Sequence, residues 1–66
     1  MKLQINESGA WRNCLSYPAE RGAEVRHAAE QLARVADVKL RILDDEDQVV
    51  AWWQSDEGWT TPSRRQ

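Results

Sequence analysis

Only one stretch of this sequence repeats its apolar residues at helical spacing. Val25, Ala28, Ala29, Leu32, Val35 and Ala36 fall at i, i+3, i+4, i+7, i+10 and i+11. At about 100° per residue they make a single stripe about 120° wide, which predicts a core-facing helix from Ala19 to Asp37. Glu20, Ala23, His27, Glu30, Gln31 and Arg34 lie opposite the stripe. Arg26/Glu30 and Glu30/Arg34 have the i,i+4 spacing of helical ion pairs. Pro18 suits the entry to such a helix, because it has no N–H to donate and its φ is already close to helical.

On both sides of this helix the pattern switches to period two, the mark of half-buried strands. Leu3 and Ile5 alternate with Lys2, Gln4 and Asn6, and Glu7-Ser8-Gly9 reads as a tight turn with Gly9 free to take a positive φ. Ala10 to Tyr17 follows as a second strand, with Trp11, Asn13, Leu15 and Tyr17 expected on one face and Ala10, Arg12, Cys14 and Ser16 on the other. Val38 to Leu43 gives a third strand and Gln48 to Gln54 a fourth, separated by the acidic turn Asp44-Asp45-Glu46-Asp47. Ser55-Asp56-Glu57-Gly58 is another turn, and Trp59-Thr60-Thr61 has the makings of a short last strand or an ordered tail. The expected fold is α+β, β-β-α-β-β: two hairpins forming an antiparallel sheet with one helix on one face. Residues 1–61 form the domain and 62–66 a frayed tail. One helix covers one face of four strands, so the other face is left open to solvent or a partner.

Length and composition set the class. A chain of 66 residues, 41% hydrophobic and 30% charged, has room for one small core and is too apolar for a disordered chain. One cysteine, Cys14, excludes an internal disulfide, and with one histidine it leaves a Cys/His zinc site short of ligands. The first residues lack the apolar run of a signal peptide, and the longest apolar run, Val49-Val50-Ala51-Trp52-Trp53, is strand-sized. The expectation is a cytoplasmic protein with no membrane segment.

Four tryptophans in so short a chain point to a binding surface. Trp52 and Trp53 are adjacent in a strand, so one must face the helix and the other the open face. The outward ring is either covered by Trp59 or the tail, or free to anchor a partner. Arg12, Cys14, Lys39 and Arg41 are expected to share that face if Leu15 and Leu40 point to the core. Aromatic and basic side chains on an open sheet also fit a weak single-stranded nucleic-acid binder. The overall charge of −2 ranks that reading behind a protein interface.

The charge is unevenly placed. Residues 1–43 carry seven basic and five acidic side chains, whereas 44–63 carry Asp44, Asp45, Glu46, Asp47, Asp56 and Glu57 and no basic one. The two acidic groups fall in the turns flanking the fourth strand. They are read as solvated turns that protect the sheet edges, or as a handle for a basic partner surface. The contiguous carboxylates lack the alternation and glycine of a calcium loop, so no metal is expected.

Catalytic patterns are missing. Cys14 lies mid-strand and His27 on the side of its helix away from the apolar stripe, which keeps a Cys–His dyad apart. No Gly-x-Ser-x-Gly elbow or glycine-rich phosphate loop occurs. The expectation is therefore a non-catalytic module without cofactors that acts stoichiometrically on a larger protein, as inhibitor or adaptor. Its binding residues are expected among Trp52, Trp53, Trp59, Arg12, Lys39, Arg41 and the six turn carboxylates. Small acidic inhibitors encoded by phages and mobile elements, anti-CRISPR proteins among them, share this size and charge, though no motif carries the analogy. The main alternative is a homodimer packed through the open sheet faces.

Overall fold

The computed structural model describes residues 1–61; the tail expected at 62–66 lies outside the described residues. Strands β1 (Lys2–Glu7) and β2 (Ala10–Ser16) are followed by helix α1 (Gly22–Ala36) and strands β3 (Lys39–Leu43), β4 (Val49–Gln54) and β5 (Gly58–Thr60). All five strands form one antiparallel sheet in the order β2-β1-β3-β4-β5. This is the α+β arrangement expected, with Gly58–Thr60 completing a fifth strand. Because β2 and β3 both run antiparallel to β1, they are parallel to each other. The helix connects them by carrying the chain over β1.

Local chemistry explains the turns. Ser8 and Gly9 both have positive φ, 59° and 84°, between the paired residues Glu7 and Ala10. Two left-handed residues make the turn whose twist matches the strands it joins. After Tyr17 the chain makes one turn of 3-10 helix, Ala19–Arg21, so the α-helix starts at Gly22, three residues later than the sequence pattern implied. Asp37 ends it in the left-handed conformation, φ 58°, donating its N–H to the Ala33 carbonyl at 2.8 Å.

The core lies between α1 and the sheet. Leu3, Leu40, Ile42, Ala51 and Trp53 supply the sheet side, Ala29 and Ala33 the helix side, and Tyr17 closes one end. The helix is rotated by roughly a quarter turn from the orientation that its apolar stripe predicts. Ala29 and Ala33 are buried, with Val25, Arg26 and Glu30 half-buried, whereas Ala28, Leu32, Val35 and Ala36 are exposed. The reason is volume. Trp53, Leu40 and Ile42 are the largest fully buried side chains, and they already fill the layer beneath the helix. The helix approaches them with its smallest residues. Arg34, expected on the outer face, instead places its guanidinium 5.5 Å from the centre of the Trp53 ring and is paired with Glu30 at 2.6 Å. Arg26 does not pair with Glu30; it lies 5.3 Å from the centre of Trp59.

A bulge in β2 corrects a second expectation. The β1–β2 register runs Leu3↔Leu15 and then Gln4↔Asn13, so Cys14 is an additional residue on β2. An inserted residue exchanges the faces of everything beyond it. Trp11 and Asn13 therefore share one face and Leu15 and Tyr17 the other, where unbroken alternation would have kept all four together. Arg12, opposite Ile5, moves to the helix side, and the expectation that it lies on the open face is wrong.

Candidate functional site

The open face is built on one row of residues running across all five strands. Asn13 is opposite Gln4, Gln4 opposite Arg41, Arg41 opposite Trp52 and Trp52 opposite Thr60. Asn6 pairs with Trp11 on one side and Lys39 on the other, forming a second row beside the first. Hydrogen bonds tie the first row together. Gln4 Nε2 donates to Asn13 Oδ1 at 2.7 Å, and Arg41 Nε donates to Gln4 Oε1 at 2.6 Å. The Arg41 guanidinium also lies over the Trp11 ring, 4.4 Å from its centre. Two contacts thus hold a long side chain in place, which lowers the entropy lost when a ligand engages it.

The adjacent tryptophans separate as strand geometry requires. Trp53 is 1% exposed and belongs to the core, while Trp52 is 38% exposed on the open face. Trp59 is opposite Trp53, so it lies on the helix side, half-buried against the core, and does not cover Trp52. Trp53 thus lies in the core and Trp59 against it, and of the three expected anchors only Trp52 is presented on the open face. The indole N–H groups of Trp53 and Trp59 have no hydrogen-bond partner among the described residues.

Lys39 and Arg41 stand on the open face as expected. Among the described residues that the strand registers place on that face, none is acidic. Lys2, at one end, has its ammonium 2.6 Å from Asp47. The face is aromatic and positively charged, a local character hidden by the net −2 of the whole chain.

The acidic turns lie at opposite ends of β4, as the sequence indicated. Much of the first is engaged within the molecule. Asp44 Oδ1 accepts the Glu46 and Gln48 N–H groups at 2.8 and 3.0 Å, which closes the β3–β4 turn. Asp45 lies 3.2 Å from the Met1 ammonium. Glu46, Asp56 and Glu57 are exposed, with Glu57 accepting the Gln54 amide at 3.3 Å. Among the described residues, no three His, Cys, Asp or Glu side chains are grouped as metal ligands, and no helix is long and apolar enough to cross a membrane. Cys14 and His27 are both exposed, one on the edge strand and the other on the helix.

Trp11 is the site residue that sequence reasoning missed. Unbroken alternation assigned it to the core side of β2, and the bulge that moves it has no signature in the residue types around Cys14. No family model matches this chain, and neither does any curated protein or solved structure.

Proposed function

We propose that this chain is a small non-catalytic protein-binding module that acts stoichiometrically on a larger protein through its open sheet face. The observation that carries the reading is the Arg41 cluster. A guanidinium stacked on Trp11 and hydrogen-bonded to Gln4 stands beside the outward Trp52 on a face to which the strands contribute no acidic residue, with Asp47 held by Lys2 at one end. Aromatic residues and arginine held rigidly at the centre of a patch are the composition of interface hot spots. The face suits a partner that presents carboxylates around an apolar recess for Trp52. This differs from the basic partner surface that the acidic turns suggested, because Asp44, Asp45 and Asp47 are engaged within the chain.

The same charge argues against a homodimer through these faces. A twofold interface sets a patch against its own copy, and Lys39 and Arg41 would then face like charges. A single-stranded nucleic-acid binder would use the same side chains, with bases stacked on Trp52 and phosphates on Arg41 and Lys39.

The test is affinity capture from the native host with wild type, Trp52→Ala and Arg41→Asp, followed by titration calorimetry with the purified captured protein. The reading expects one protein held at a fixed stoichiometry and lost with both variants. Capture that both variants retain would overturn it. So would oligonucleotide binding that survives moderate salt.

A further inference from the structure

Strand β2 is an outer strand of the sheet, and among the described residues nothing pairs with its free edge. The other outer strand, β5, has three residues, while β2 has seven. The bulge at Cys14 leaves Ala10–Asn13 as the regular part of that edge, about 14 Å of backbone with N–H and C=O groups directed outward. Each flank of this segment carries a cation. Arg12 stands opposite Ile5 on the helix side, is exposed, and makes no ion pair among the described residues. Glu7, two residues beyond Ile5 on the same side, does not engage it. Trp11 stands on the open face, and the Arg41 guanidinium, 4.4 Å from its ring centre, brings the charge of β3 across to the edge strand. Arg41 uses its Nε–H on Gln4, which leaves its terminal nitrogens for a ligand.

These charges choose the occupant. A second copy, pairing antiparallel about a twofold axis centred on Trp11, Arg12 or Asn13, sets Arg12 opposite or diagonal to its own counterpart, about 5–8 Å apart. Like charges at that distance oppose self-pairing. A strand that carries carboxylates meets the reverse situation. Successive side chains of a strand point to opposite faces. Two consecutive acidic residues would therefore reach Arg12 on one side and the Trp11–Arg41 stack on the other. Backbone pairing supplies affinity whatever the sequence, and the two flanks select the charge. A single-stranded nucleic acid has no N–H and C=O ladder to offer such an edge.

We propose that the larger protein partner docks by adding an extended acidic segment beside β2 as a sixth strand of the sheet, with consecutive carboxylates on Arg12 and on Arg41 over Trp11. This docking mode rests on the partner-binding reading and adds to it the element that the partner supplies. The added strand borders the open face, so the same partner reaches Trp52 across β1 and β3.

The test is titration of the isotope-labelled full chain with the peptide acetyl-Thr-Val-Glu-Glu-Val-Thr-amide, followed by NMR amide shifts and hydrogen exchange. The expected result is saturable binding with a Kd below about 1 mM, shifts centred on Ala10–Asn13, and slowed exchange of amides in that segment. Replacing both peptide glutamates by lysine should weaken binding tenfold or more, as should N-methylation of the peptide backbone. Arg12→Glu, at an exposed position, should keep the circular dichroism of wild type, weaken the acidic peptide tenfold or more and bind the lysine peptide more tightly than wild type does. No saturable binding up to about 5 mM, equal binding of the lysine peptide, or binding that survives N-methylation overturns the proposal. So do β2 shifts that grow with the concentration of the chain alone, which mark a second copy at the edge, and displacement of the peptide by oligothymidine. If a host protein is captured through Trp52 and Arg41 while the peptide fails to bind, the open-face reading stands and strand addition is refuted.

Discussion

The Arg41 guanidinium stacks 4.4 Å from the centre of the Trp11 ring, joining residues 30 positions apart in sequence across strands β3 and β2, with β1 between them. Gln4 on that middle strand accepts the Arg41 Nε–H at 2.6 Å and so fixes the reach of the side chain. A double-mutant cycle with Arg41→Ala and Trp11→Ala should give a coupling of about 0.5–1 kcal/mol, the range for a solvated cation–π pair. Additive losses in urea denaturation would mean that the stacking has no energetic consequence.

The two neighbouring tryptophans should behave very differently. Trp53→Ala empties the middle of the core and should cost about 3–5 kcal/mol. That is a large part of the roughly 3–10 kcal/mol that 66 residues sustain, so the variant should be largely unfolded at 37 °C. Trp52→Ala should cost only about 1–2 kcal/mol, because its ring is partly in water already. Equal losses from the two variants, measured by chemical denaturation, would contradict their opposite placement.

Asp44 and Glu46 are near neighbours in one acidic turn, yet only Asp44 holds its backbone together. Asp44→Ala removes two accepted backbone hydrogen bonds and should cost about 1–2 kcal/mol. Glu46→Ala should stay within about 0.5 kcal/mol of wild type. Thermal unfolding of the pair decides it, and equal shifts would assign the whole turn to charge alone.

The hydrogen bond to Asp47, and then that residue's charge, raise the Lys2 ammonium above its ordinary 10.5, with partial desolvation opposing and Asp45 adding a little. A cation whose pKa is raised by folding stabilises the fold below its unfolded pKa, and the contribution is lost as pH rises through the folded value. Burial raises the Tyr17 phenol above its ordinary 10, opposed by Arg26, and this too removes stability on the alkaline side. Stability should therefore decline above about pH 10. Asp47→Asn should lower the Lys2 pKa, followed by NMR titration, and leave Tyr17 in place. Because Lys2 is exposed, the effect should weaken with added salt. An unchanged Lys2 titration would count against the ion pair.

Patterning alone determined the first four strands, the one helix and where the turns fall, and left residues 59–61 between a last strand and an ordered tail. It also determined that Trp52 and Trp53 must part to opposite faces, because alternation in a strand is a property of the backbone and needs no partner. Tertiary structure decided which face each was on, and three matters besides. The helix turned its alanines inward because large sheet residues, Trp53 above all, had already filled the layer beneath it, a volume constraint invisible along the helix sequence. The bulge at Cys14 sent Arg12 to the helix side and Trp11 to the open face, since one added residue reverses every side chain beyond it. Asp45 and Asp47, part of a block of like charge in the sequence, were drawn to the Met1 ammonium and to Lys2 when folding brought β1 beside β3, whereas Asp44 accepts N–H groups of its own turn. What the residues carry was legible in one dimension; what each of them meets depended on packing between segments far apart in the chain.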